Sequence, residues 1–302
     1  MQSNLSRHLV CIAIILALFA VCQIHAAELS PTEKALEMAK QLTGQKGEPS
    51  SSATSDNQSG LSGEQANLAQ KGSEAEPTSQ EQAVFPGIKN ELFKLGGESS
   101  PSVNINYPFL NNPKVDSVIR DFVEKTGRAY IKDLNETYSD EEEKPANYDQ
   151  WEMLGFFTAD RPNPDIISIT FSISSYTGGA HGDLFVNVMN YDLKTGKEIT
   201  LADMFADPQK AIELFSQGSP AKLRAALGEG DIEEEMLSDG TAPTDTNFAQ
   251  FALNPNGLAV EFQPYQVGPW SIGQQHVDFT LDELMPAGPN PAIWPNLSKD
   301  NK

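Results

Sequence analysis

Two of the chain's four histidines fall in the first 26 residues, leaving His181 and His276 for imidazole chemistry. His181 stands in Tyr176-Thr177-Gly178-Gly179-Ala180-His181-Gly182 and is followed closely by Asp183. An imidazole near a carboxylate and near Ser174 and Ser175 has the residue types of a Ser-His-Asp set, but no serine lies in a nucleophile elbow. Zinc needs three or four spaced ligands, and two isolated histidines do not supply them. The glycine-rich run lacks the lysine and following helix of a phosphate loop, and no spacing singles out two carboxylates for glycoside hydrolysis. The residues therefore assemble no catalytic set, no metal site and no cofactor site. Recognition remains. Its candidates are Tyr176, Gly178, Gly179, His181 and Asp183, joined by Tyr265 and Trp270 from a Gly/Pro-rich loop whose aromatics suit a protein hot spot or a sugar face. The plainer reading is a histidine held by hydrogen bonds in a tight turn, with Tyr265 and Trp270 in a core aromatic cluster.

Two strands must present the heptad. Upstream, Ile167, Ile169, Phe171 and Ile173 alternate with serine and threonine, the period-two signature of a strand with one buried face. Downstream, Leu184, Val186 and Val188 repeat it, and the three intervening glycines permit φ > 0 in a tight corner. Val103, Ile105 and Tyr107 predict an earlier strand. Asn112-Pro113 then opens a helix with Val115, Val118, Ile119, Phe122, Thr126, Ala129 and Tyr130 on one face. Trp151 to Phe157 reads as a strand buried on both faces, ended by the turn Arg161-Pro162-Asn163-Pro164. Lys194-Thr195-Gly196-Lys197 is a turn, and Thr200 to Asp203 a capping box. Helices are expected over Pro208–Leu227 and Asp231–Leu237. Phe248–Leu253 and Leu258–Phe262 flank the hairpin signal Asn254-Pro255-Asn256-Gly257, and His276–Leu281 is the last strand. Strands and helices segregate rather than alternate, so the class is α+β, a mainly antiparallel sheet packed against a few helices.

Arg7 precedes an apolar stretch from Leu9 to Cys22, and Ala26 suits a cleavage site, so residues 1–26 read as a signal peptide of a periplasmic or secreted protein. Phe19-Ala20-Val21 is a poor approach to lipid attachment at Cys22. With Cys11 and Cys22 the only cysteines, a mature domain would have neither disulfide nor thiolate site. Residues 27–83 read as a short helix from Ser30 followed by a flexible low-complexity linker spanning roughly 35 to 40 Å. The folded domain is expected over 84–286, in halves 84–160 and 161–286, followed by a Pro/Asn-rich tail at 287–302. No later stretch is apolar for long enough to span a bilayer. Against 21 basic residues stand 42 acidic ones, a formal net charge of −21. That field disfavours nucleic acid, favours cationic partners, and at its simplest keeps a secreted protein soluble. Asp140 to Glu143 reads as a solvated acidic loop, with calcium or a basic partner as the alternative. Asn57, Asn135 and Asn296 begin glycosylation sequons that matter only in a eukaryotic route.

Four segments carry a resemblance: Tyr107-Pro108 before Asn112-Pro113; the heptad; Gly196-Lys197-Glu198-Ile199-Thr200-Leu201 with Met204-Phe205; and Phe262 to Trp270. In order and spacing the chain resembles the PdaC/RsiV-type extracellular domain over about residues 84–286. That domain accompanies peptidoglycan deacetylases and forms the lysozyme-sensing outer part of an anti-sigma factor. The resemblance implies an α+β envelope domain and, through one branch, a lysozyme-type muramidase as protein ligand. Neither a sigma-binding segment nor the deacetylase metal motif has a counterpart here. The expected function is thus non-catalytic binding of a cationic lysozyme-like protein or a cell-wall glycan. One alternative is a hydrolase of envelope polymers with His181 as acid or base, and another is a structural periplasmic protein.

Overall fold

The structure, a computed structural model, describes residues 87–140, 144–228 and 233–298. The expected signal segment, both cysteines, the helix from Ser30, the linker, Asn57 and Glu141 to Glu143 lie outside the described residues.

Five strands form the first sheet in sequence order: β1 (Lys89–Gly96), β2 (Ser102–Phe109), β3 (Glu152–Asn163), β4 (Ile166–Tyr176) and β5 (Asp183–Asp192). Alternation explains its inner face, since Val103, Ile105, Met153, Ile167, Ile169, Phe171 and Ile173 all point to one side. The 25-residue helix α1 (Pro113–Thr137) covers that side with Val115, Ile119, Phe122, Val123, Tyr130 and Leu134. Pro113 has no N–H to lose at the first turn. The carboxylate of buried Asp116 accepts from Leu110 N at 2.8 Å and Asn112 N at 2.7 Å, fixing the chain's entry into the helix.

The second layer begins with α2 (Leu201–Met204), whose Thr200–Asp203 capping box forms, and continues through α3 (Pro208–Leu227) and α4 (Glu234–Gly240). Strands β6 (Phe251–Asn254), β7 (Gly257–Phe262) and β8 (Gln275–Thr280) make a small antiparallel sheet, followed by α5 (Leu281–Leu284). Leu258, Val260, Phe262, Val277 and Phe279 build a second core with Phe215 and Leu223 of α3. The small sheet turns its other face to the outer face of the first sheet, where Leu253 N donates to Ser168 Oγ at 2.9 Å.

The class is α+β with mainly antiparallel pairing, as expected, but several details differ. β2 and β3 pair in parallel through α1, so one βαβ unit is present. β3 is not buried on both faces: Phe156 is 53% exposed, whereas Thr158 and Asp160, further along the same face, line a cleft with residues of the small sheet. β3 also runs on to Asn163 through an irregular register near Asp160, leaving the turn to Pro164 and Asp165. In β5 the inner-core residues are Phe185, Met189 and Tyr191 rather than Leu184, Val186 and Val188; Val186 and Val188 are buried on the outer face. The first described helical residue after Gly228 is Glu234 rather than Asp231. The expected division at 160/161 cuts β3; apart from Ile166, the residues of the second core follow Leu193.

Residues 287–297 are not a tail. Ala287, Ile293 and Trp294 are buried, and the Trp294 indole N–H reaches the carbonyls of Asn254 at 3.0 Å and Gly257 at 3.2 Å, clasping the β6–β7 turn. Replacing Trp294 with Ala should cost about 3 to 5 kcal/mol, as for a fully buried tryptophan. Urea unfolding checks this; a midpoint unchanged from the parent would mean the segment does not hold the core.

Candidate functional site

The β4–β5 corner is built from inside outward. The Tyr130 hydroxyl of α1 donates to the Tyr176 carbonyl at 3.2 Å, and burial pushes that phenol well above the usual tyrosine range. The Tyr176 hydroxyl in turn donates to Gly179 O at 3.4 Å. Gly178 (φ 84°) and Gly179 (φ 99°) occupy conformations that side chains resist. Gly182 is required for space: a Cβ there would stand 2.6 Å from Ser175 O. The corner rests on Trp151, which packs with Tyr138 and Tyr148 at ring separations of 5.2 to 5.3 Å.

This fold leaves His181 exposed at the tip. Its Nδ1 lies 2.8 Å from Gly182 O, which places a proton on Nδ1. Its ring stacks on Trp270 with centroids 4.7 Å apart and planes 17° from parallel. Tyr265 follows at 5.8 Å from Trp270, 54% exposed. The three rings therefore form a continuous surface row instead of a core cluster. Tyr265 adopts φ 66°, a strained setting for a bulky residue that its surroundings must impose. Gln266 does so, donating to Gly240 O at 3.1 Å and Asn247 O at 2.9 Å while its Oε1 accepts from Gln263 N at 3.0 Å. Asp183 is half-buried beside the histidine: burial pushes its carboxyl above the usual aspartate range, and the imidazole offsets only part of this.

The loop bearing Tyr265 and Trp270 is docked by Gln263. Its Oε1 accepts from Val186 N at 2.8 Å and its Nε2 donates to Val186 O at 2.7 Å, so one side chain pairs like a strand residue with the free edge of β5. Gln250 accepts from Val188 N at 2.6 Å, and Ile199 N donates to Asn190 O at 2.8 Å. The second layer thereby covers the middle of the edge that closes the first sheet. Because the heptad and the aromatic loop share this seam, all seven residues singled out from the sequence gather at one corner.

Sequence reasoning missed a second place. A cleft of about 190 Å³ opens between the sheets, lined by Thr158, Asp160, Thr170, Glu261, His276 and Asp278 among others. Glu261 is buried; burial pushes its carboxyl up, while a hydrogen bond from Gln274 at 2.8 Å and the charge of His276 act the other way. The available signal was a lone carboxylate in the apolar strand Leu258-Ala259-Val260-Glu261-Phe262. Among the described residues, no group of three or more His, Cys, Asp or Glu side chains is arranged to hold a metal ion.

The family model described as deacetylase PdaC matches residues 98–183, and that of a protein of unknown function, DUF3298, matches 202–282. The folded region is a PdaC/DUF3298-type domain. His181 belongs to the first matched segment, Tyr265 and Trp270 to the second, and the ring stack joins them. The peptidoglycan-N-acetylmuramic acid deacetylase PdaC of Bacillus subtilis strain 168 is 26% identical over 175 residues, 57% of this chain and 36% of its own length. The chain thus spans about a third of that relative. A DUF3298-family crystal structure from Bacteroides fragilis NCTC 9343 aligns with TM-score 0.47 and 19% identity, covering 68% of this chain and 96% of its own. One from Pseudomonas aeruginosa PAO1 gives 0.45 and 20% over the same shares.

Gln263→Ala should destabilise by about 1 to 3 kcal/mol, because it strands the N–H and C=O of Val186. Urea unfolding reads this, and a midpoint equal to the parent's would show that the seam is not supported there. Glu261 gives a pH signature. Its folded-state pKa is raised, so its stabilising contribution is complete below the ordinary glutamate value and is lost as pH rises through the raised one. The stability of Glu261→Gln relative to the parent should therefore increase between about pH 4 and pH 7. Parallel denaturation curves at both pH values, with a constant offset, would contradict this.

Proposed function

We propose that this chain is a non-catalytic recognition module of the cell envelope, periplasmic or secreted, which docks a cationic protein on the row His181–Trp270–Tyr265. The observation that carries the reading is the stack itself. Trp270 already spends ring surface on His181 and Tyr265, which suits a rigid aromatic anchor for a protein partner better than an open platform for a sugar ring. Tyrosine and tryptophan bring large contact area at small entropic cost, and here the corner glycines and Gln266 have already met the cost of ordering.

Charge selects the partner's sign. A formal −21 favours encounter with basic proteins, and a lysozyme-type muramidase is the first ligand to test. The relative named for acting on peptidoglycan N-acetylmuramic acid supports an envelope setting. No helix among the described residues is long and apolar enough to cross a membrane, which agrees with the domain standing free of the bilayer. As for acid–base chemistry at His181, the ring is exposed and its Nδ1 is engaged with a backbone carbonyl, a setting that favours a positioning role.

Calorimetry with lysozyme should give saturable heat, tighter at low salt than at physiological salt because exposed charges are screened. Trp270→Ala should weaken binding by about 2 kcal/mol, roughly thirtyfold, as for a hot-spot tryptophan. Absence of saturable heat at both salts removes this ligand. Turnover of peptidoglycan fragments that disappears in a folded His181→Ala variant would replace the docking reading with the hydrolytic one.

A further inference from the structure

The cleft between the sheets is a separate place from the glycine corner, and its existence has a cause in the sequence. Facing sheets normally fill the space between them with large side chains. Here the floor is the cross-strand pair Ala252 and Ala259, so the space stays open. Around it stand Thr158 and Thr170, themselves cross-strand partners, then Asp160 opposite Ser168, and Glu261 opposite His276. Asn254 and Asp278 complete the wall.

The chemistry of this lining is one-sided. Three carboxylates face the cleft, one imidazole accompanies them, and neither lysine nor arginine lines it. Glu261 is only 8% exposed, and among the described residues its carboxylate accepts one hydrogen bond, from the neutral amide of Gln274 onto Oε2 at 2.8 Å. A buried carboxylate held by a single neutral donor is a costly arrangement that a ligand's positive charge would relieve. That amide is itself fixed, since its oxygen accepts from the Ser172 hydroxyl at 3.0 Å, so the carboxylate is held in place.

We propose that the cleft binds one unacetylated 2-amino sugar unit of a glycan, its ammonium directed to Glu261 and Asp278. Size, shape and donor count all enter. About 190 Å³ is below the usual volume of a drug-sized pocket and suits a single pyranose. The alanine methyls offer an apolar floor to a sugar face, and the threonine, serine and asparagine side chains match ring hydroxyls. An N-acetyl group would remove the positive charge and add bulk. The proposal does not depend on protein docking at the corner, which lies across the seam on other residues.

The test is calorimetry on the full chain with three probes: a glucosamine tetrasaccharide, its fully N-acetylated counterpart, and spermidine. Binding of the free-amine sugar is expected, with at least about tenfold weaker binding of the acetylated one, the loss of a charge-assisted contact. Glu261→Gln and Asp278→Asn should each reduce affinity for the amine by about tenfold or more. Asp278 is exposed, so its variant tests the cleft even if Glu261→Gln folds poorly. Equal binding of both sugars, no binding of the free-amine sugar, or indifference to both cleft variants overturns the proposal. Spermidine binding as tightly as the amino sugar would also overturn it, because the cleft would then be reading charge alone.

Discussion

The rest of the molecule depends on how the free edge of one sheet is satisfied. β5 ends a five-stranded sheet, and an unpaired edge exposes alternate N–H and C=O groups that invite pairing with another chain. Here Gln263 closes both groups of Val186, Gln250 takes the N–H of Val188, and Ile199 N donates to the carbonyl of Asn190. Each of these contacts also ties the second layer to the first. Edge protection and the joining of the two cores are thus one set of hydrogen bonds.

From that seam the surface corner follows. Gln263 sits immediately before Pro264 and Tyr265, so anchoring it on β5 brings the aromatic loop beside the turn that leads into β5. The strain of Tyr265 is a local cost that a packed surround can maintain. The two matched family segments meet at this stack, so neither segment alone holds the complete site. The second opening, between the sheets, arises from the same stacking wherever alanines replace filling side chains.

The sequence made some of this readable and hid the rest for identifiable reasons. The alternation in β4 gave its buried face because one side of that strand packs on α1, which is what period two reports. The corner residues were legible because three glycines flanking a histidine have few uses. β5 departs from the expected face because it is covered on both sides, so apolar residues in either phase look like the inner face. Residues 287–297 read as a tail because proline and asparagine resemble a linker, yet Asn290 donates to Asp203 O at 2.8 Å and Asn163 to Ile293 O at 2.7 Å. Amide side chains do much of the stitching in this fold. On a sequence they look like solvent-facing polar residues, so the seam could not be anticipated. Glu261 is the same case with a charge: its burial comes from a sheet stacked on it from elsewhere in the chain.

Amide hydrogen exchange of the full chain, with and without saturating lysozyme, tests most directly whether the two loops act as one docking surface. Coincident protection of residues 176–184 and 264–273 is expected, lost from both segments together in Gln263→Ala. Protection confined to one of these segments, or located elsewhere on the domain, would contradict it.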